Sequence, residues 1–144
     1  MRMRWTAWTA ALAIGACQQA PRVDDAWVRL PALPGRPAAG YATLTPGSTD
    51  RVLLSIETPA AGRVELHRSM TGHGGMATMQ PLDRLDVARG AIVRLAPGCN
   101  HAMLFDVRGD LKPGGTVPIT FRFADGPPVT TTARLIAAGD PAPE

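Results

Sequence analysis

Val117-Pro118-Ile119-Thr120-Phe121-Arg122-Phe123, then Asp125-Gly126-Pro127-Pro128, then Val129 to Leu135: this stretch decides the fold. Val117, Ile119, Phe121 and Phe123 alternate with Pro118, Thr120 and Arg122. A strand sends successive side chains to opposite faces, so this pattern buries one face and wets the other. The Asp-Gly-Pro-Pro run turns the chain, and Val129, Thr131, Ala133 and Leu135 alternate on the return. Alternating segments bounded by Gly, Pro, Asn and Asp are the mark of antiparallel strands.

The same reading extends upstream. Val23–Leu30, Tyr41–Thr45, Arg51–Glu57, Arg63–His67, Ala91–Leu95 and His101–Val107 all read as strands. Turn signals separate them, among them Leu33-Pro34-Gly35-Arg36-Pro37, Pro46-Gly47-Ser48-Thr49-Asp50 and Ala96-Pro97-Gly98. No segment after Cys17 has a convincing helical period. The sequence therefore predicts an all-β fold, a β-sandwich of about seven to nine strands. At 144 residues the chain has room for one such core.

The first residues read differently. Met1-Arg2-Met3-Arg4 is a basic head, and Trp5–Ile14 is an uncharged, mostly apolar run. That run is well short of the roughly 20 residues a spanning helix needs, and it matches a secretory signal. Ile14-Gly15-Ala16-Cys17 resembles the bacterial lipobox, whose cysteine becomes the acylated first residue of the mature protein. The expected organisation is a signal over residues 1–16, a lipid-anchored tether over 17–22, a β-sandwich over 23–138 and a disordered tail over 139–144. Gln18 and Gln19 follow the cysteine with no aspartate, which in a Gram-negative cell favours the outer membrane.

Export changes the charge balance. Arg2 and Arg4 leave with the signal, so 13 basic residues face 12 acidic ones. No basic block remains, and nucleic acid is excluded as a partner. With Cys17 acylated, Cys99 has no intramolecular partner for a disulfide.

Every histidine and methionine of the mature chain lies between positions 67 and 103: His67, Met70, His73, Met76, Met79, His101 and Met103. Core packing selects methionine but not histidine with it. Thioethers are soft donors that select Cu(I), and imidazole suits several transition metals. Zinc prefers Cys, His or carboxylate. Methionine also survives in an oxidising compartment where paired cysteines would close into a disulfide. His101 and Met103, at i and i+2 on a strand, leave the same face. The segment Ser69–Gln80 reads as a flexible turn able to fold Met79 back toward them. Trp27 and Tyr41 read as core.

The spacing resembles that of the periplasmic copper chaperones called PCuAC: a histidine, about ten residues, a methionine, twenty-one residues, then His-x-Met. Val64-Glu65-Leu66-His67, Met79-Gln80-Pro81 and His101-Ala102-Met103-Leu104 match the three parts, with twenty-one residues between Met79 and His101. Asp25-Ala26-Trp27-Val28-Arg29, Ala39-Gly40-Tyr41 and Leu95-Ala96-Pro97-Gly98 extend the likeness over most of the mature chain. The resemblance implies a cupredoxin-like fold that carries Cu(I) on His67, Met79, His101 and Met103. It also implies an accepting protein such as an oxidase subunit or its assembly factor.

Two departures stand out. Eleven residues separate His67 from Met79, which leaves Met76 as a substitute ligand. Cys99 stands where a non-ligand is expected. Met76, His73, Met70 and Cys99 are auxiliary candidates, His73 for a secondary Cu(II) site. The functional expectation is a non-catalytic copper chaperone. The alternatives are an envelope copper buffer using the same ligands and a cupredoxin-type electron carrier. Cys99 and His101, one residue apart on one strand, speak against the last.

Overall fold

A computed structural model describes residues 17–144. The expected signal, 1–16, lies outside the described residues. Ten strands form: β1 (Arg22–Arg29), β2 (Ala38–Thr45), β3 (Arg51–Glu57), β4 (Ala61–Thr71), β5 (Ala77–Leu82), β6 (Leu85–Val87), β7 (Val93–Leu95), β8 (Asn100–Val107), β9 (Thr116–Phe123) and β10 (Val129–Ile136). The one helical element among the described residues is a single 3₁₀ turn at His73–Gly75. The all-β expectation holds, with two strands beyond those read from the sequence, β5 and β6.

The hydrogen-bonded order is β5-β4-β8-β2-β1-β10-β9-β3-β6, with β7 paired to β2. The hairpin that set the fold is there, Phe121 opposite Val129 and Val117 opposite Ala133. Leu44, Leu53, Leu104, Ile119 and Phe121 come from distant strands and meet in one buried cluster. The sheet thus wraps into the two layers of a sandwich around that core.

Strand parity is reset once where it matters. β1 and β2 shift register between Asp24 and Trp27, and Asp25 sits in left-handed backbone at φ 52°. A bulge of this kind turns the following side chains to the other face. Val23 and Val28 therefore both join the core, while Trp27 pairs with Tyr41 on the outer face of the layer. Trp27 and Tyr41 are buried but stand apart from the core cluster, where the sequence reading had placed them.

Both ends of the described residues make contacts with the domain. The backbone N–H of Ser48 donates to the Gln19 carbonyl at 3.2 Å. Gly47, at φ +82°, leaves no room for a Cβ, which would stand 2.2 Å from that same carbonyl oxygen. Residues 17–22 are thus docked from Gln19 onward. In the tail, Arg29 donates to the Asp140 carbonyl at 3.1 Å, Ala137 N–H to the Asp140 carboxylate at 3.0 Å, and Arg134 to the Glu144 carbonyl at 3.3 Å. These contacts fasten residues 139–144 to the domain.

Candidate metal centre

β4, β8 and β5 carry the site. In the β4–β8 ladder His67 is opposite His101 and Glu65 is opposite Met103. In the β4–β5 ladder Ser69 is opposite Met79 and His67 is opposite Pro81. Paired residues share a face, as do residues two apart on one strand. Those two rules put His67, Glu65, His101, Met103 and Met79 on one face of the layer. Ala102, Leu104 and Leu66, on the other face, belong to the core, so the histidine face is the outer one.

Met79 reaches this face by strand pairing. The expected turn over Ser69–Gln80 is a β-hairpin: β4 runs on to Thr71, and β5 starts at Ala77. Gly74 and Gly75 close it at φ +81° and +77°, a backbone that glycine adopts without strain. The Gly72 N–H donates to the Met76 carbonyl at 2.7 Å across the tip.

The imidazoles are buried, His67 9% and His101 4% exposed, with ring centroids 6.0 Å apart. Each has one nitrogen committed. His101 Nδ1–H donates to the Cys99 carbonyl at 3.0 Å, which fixes the tautomer and leaves the Nε2 lone pair free. His67 Nε2–H donates to Glu65 Oε2 at 2.9 Å. Its Nδ1 is buried and has no hydrogen-bond partner among the described residues. A buried polar atom without a partner costs free energy unless something else uses its lone pair.

Surrounding groups hold these rings in place. Glu65 also accepts from Arg63 Nε at 2.8 Å, and the Arg63 guanidinium lies over Phe105 at 4.4 Å. The hydrogen bond from His67, helped by Arg63, holds the Glu65 carboxyl below the ordinary carboxylate range. Tyr41 packs beside His101 at 6.4 Å and Trp27 beside Tyr41 at 4.2 Å. Burial pushes the Tyr41 phenol up, partly offset by Arg29. The result is an aromatic wall on the β1–β2 side and a methionine edge on the β5 side.

The auxiliary candidates divide. Met70 pairs with Thr78, next to the Ser69–Met79 pair, and so faces away from His67. His73 and Met76 sit at the exposed hairpin tip, Met76 at 71% exposure. Cys99 is exposed, and its part in the site is made by its backbone: its carbonyl takes both His101 Nδ1–H and, at 3.3 Å, the Ser69 N–H. Among the described residues no three His, Cys, Asp or Glu side chains gather as a metal cage. Glu65 was missed as a partner; its place two residues before His67 on a strand was the available signal.

A soft-donor face of this kind on a ten-stranded sandwich defines a PCuAC-like domain, and solved structures share the fold. The copper-bound PCuAC domain from PmoF2 aligns at TM-score 0.68 with 19% identity, over 85% of this chain and 97% of that one. The solution structure of CuI-DR1885 from Deinococcus radiodurans aligns at TM-score 0.62 with 27% identity, over 86% of this chain and 81% of that one. Residues 22–135 match the family described as "Putative lipoprotein LpqE-like", and the chain belongs to that family. A relative in Leifsonia xyli subsp. xyli, "Putative lipoprotein Lxx21020", is 30% identical over 105 residues, covering 73% of this chain. The chain spans 63% of that relative's length.

Proposed function

We propose that the protein is an envelope lipoprotein that binds Cu(I) through His67, Met79, His101 and Met103 and hands it to an accepting protein without a catalytic step. The observation that carries this reading is the shared face: strand register alone brings two imidazoles with uncommitted lone pairs together with two thioethers. Soft donors select Cu(I). The Glu65–His67 hydrogen bond is the carboxylate support that metal-binding histidines commonly have. The copper in the structures of PmoF2 and DR1885 supports the same cargo.

The geometry suits ligand exchange. His67 and His101 are sunk against the aromatic wall, whereas Met79 is 55% exposed. An acceptor's ligands reach the ion from the methionine edge, displace Met79 first, and take the ion while the histidines still hold it. The acceptor in this reading is an oxidase subunit or its assembly factor, and Cys17 carries the lipid; if the cell is Gram-negative, the outer membrane is favoured. The test is genetic. Copper-limited cells lacking the gene should lose oxidase activity and regain it with the wild-type gene but not with His67→Ala. Oxidase activity that survives the deletion would favour a buffer over a donor.

A further inference from the structure

The two ends of the sandwich differ in what they expose. β1 begins where β2 ends, β8 begins at that same end, and β4 finishes there, because each neighbouring pair is antiparallel. The start of the folded chain and the β4–β5 hairpin tip therefore lie at one end of the domain. From β1 to β4 is three strand spacings, about 14 Å. Met70 and Thr71 pair only with β5, so the hairpin overhangs the sheet. Six large apolar side chains are exposed among the described residues. Three of them, Met70, Met76 and Met79, are on this hairpin. Ile92, 61% exposed just before β7, is a fourth at the same end. From Ser69 to Leu82 there is no Asp, Glu, Lys or Arg, and His73 is the one titratable side chain.

The docked N-terminal segment says what this end faces. Gln19 is held by Ser48 and closely packed on Gly47, leaving Gln18 as the one residue between it and Cys17. Two residue steps span at most about 7 Å. An acyl chain on Cys17 thus draws this end of the domain down to the bilayer with almost no slack. Resting on the lipoprotein reading of Cys17, we propose that the Met/Gly hairpin tip at Met76 is a second contact with the lipid surface. It orients the domain so that His67 and His101 stand just above the membrane.

Apolar side chains on an edge without Asp, Glu, Lys or Arg gain free energy at the interfacial region. His67 is four residues from Thr71, where β4 ends and the tip begins, so it lies about 13 Å above the base of the tip.

The test uses acylated protein purified from membranes and placed in vesicles of phosphatidylethanolamine and phosphatidylglycerol. Nitroxide labels go on Met76→Cys and, at the opposite end, Leu33→Cys, each in a Cys99→Ser background. The label at 76 should be shielded several-fold from a water-soluble relaxation agent relative to the label at 33. Equal accessibility at the two positions would overturn the proposal and leave the tip to a protein partner. So would intact-mass analysis showing no acyl group on Cys17. Cu(I) titration of the same vesicles separates the two readings: lost binding with the shielding intact would remove the copper function and leave the orientation standing.

Discussion

His67 and His101 stand directly opposite one another across β4 and β8, with their ring centroids 6.0 Å apart. One ion bonded at about 2 Å to a nitrogen of each ring can bridge that separation. Their second nitrogens are held by different kinds of group, a side-chain carboxylate for His67 and a backbone carbonyl for His101. That asymmetry gives them different sensitivities to substitution.

Glu65→Ala should weaken Cu(I) binding by about 10-fold or more, the usual cost of losing a partner that orients a metal-binding histidine. Glu65→Gln, whose amide oxygen still accepts from Nε2–H, should lose less. Competition titration with a Cu(I) chelator measures both. Equal affinity in wild type and Glu65→Ala would show that the 2.9 Å hydrogen bond does not support the metal.

The three exposed methionines should separate by face. Met79→Leu should lower Cu(I) affinity, because the register places Met79 beside the histidines. Met70→Leu and Met76→Leu should leave it within experimental error. Leucine keeps the volume and removes the sulfur, so packing is a minor complication. A larger loss from Met76→Leu than from Met79→Leu would mean that the tip folds onto the site.

Much of this was legible in the strand alternation. His101 and Met103 had to share a face once β8 was read as a strand. The face of Trp27 was hidden because the bulge at Asp25 resets parity, and nothing in the local sequence announces a bulge. β5 was missed because Ala77–Leu82 is exposed almost throughout and carries Pro81; it is a strand because β4 offers it an edge. The docking of Gln19 on Gly47 joins residues far apart in the chain, and no local pattern encodes such a contact.

Stability should depend on the decisive hairpin. Phe121 is 1% exposed within the core, and Phe121→Ala should cost about 3–5 kcal/mol. Chemical denaturation of the metal-free protein reads this directly. A loss under about 1 kcal/mol would mean that the site collapses around the cavity far better than a packed core usually does.

Acid should destabilise the metal-free fold. Glu57, Glu65 and Asp110 are held below the ordinary carboxylate range, chiefly by hydrogen bonds from Arg122, His67 and Arg108. A carboxylate depressed in the folded state contributes stability that is complete above its unfolded pKa and lost as pH falls through its folded one. Tm should therefore vary little from these groups between neutral pH and about 5, then drop below about 4. The Glu57 and Asp110 pairs are solvent-exposed, so their effects are small and should shrink further in high salt; the Glu65–His67 pair is part-buried and less screened. A Tm that rises on acidification below pH 4 would contradict the assignment.

The most direct measurement is a Cu(I) competition titration of the mature, unlipidated protein, with X-ray absorption at the copper edge, repeated on the double variant His101→Ala/Met103→Ala. The account predicts one tightly bound equivalent with mixed nitrogen and sulfur scatterers in the wild type. In the double variant it predicts loss of tight binding with the β-sheet circular dichroism unchanged. Unchanged affinity in the double variant, or no tight binding by the wild type, would contradict the proposed site.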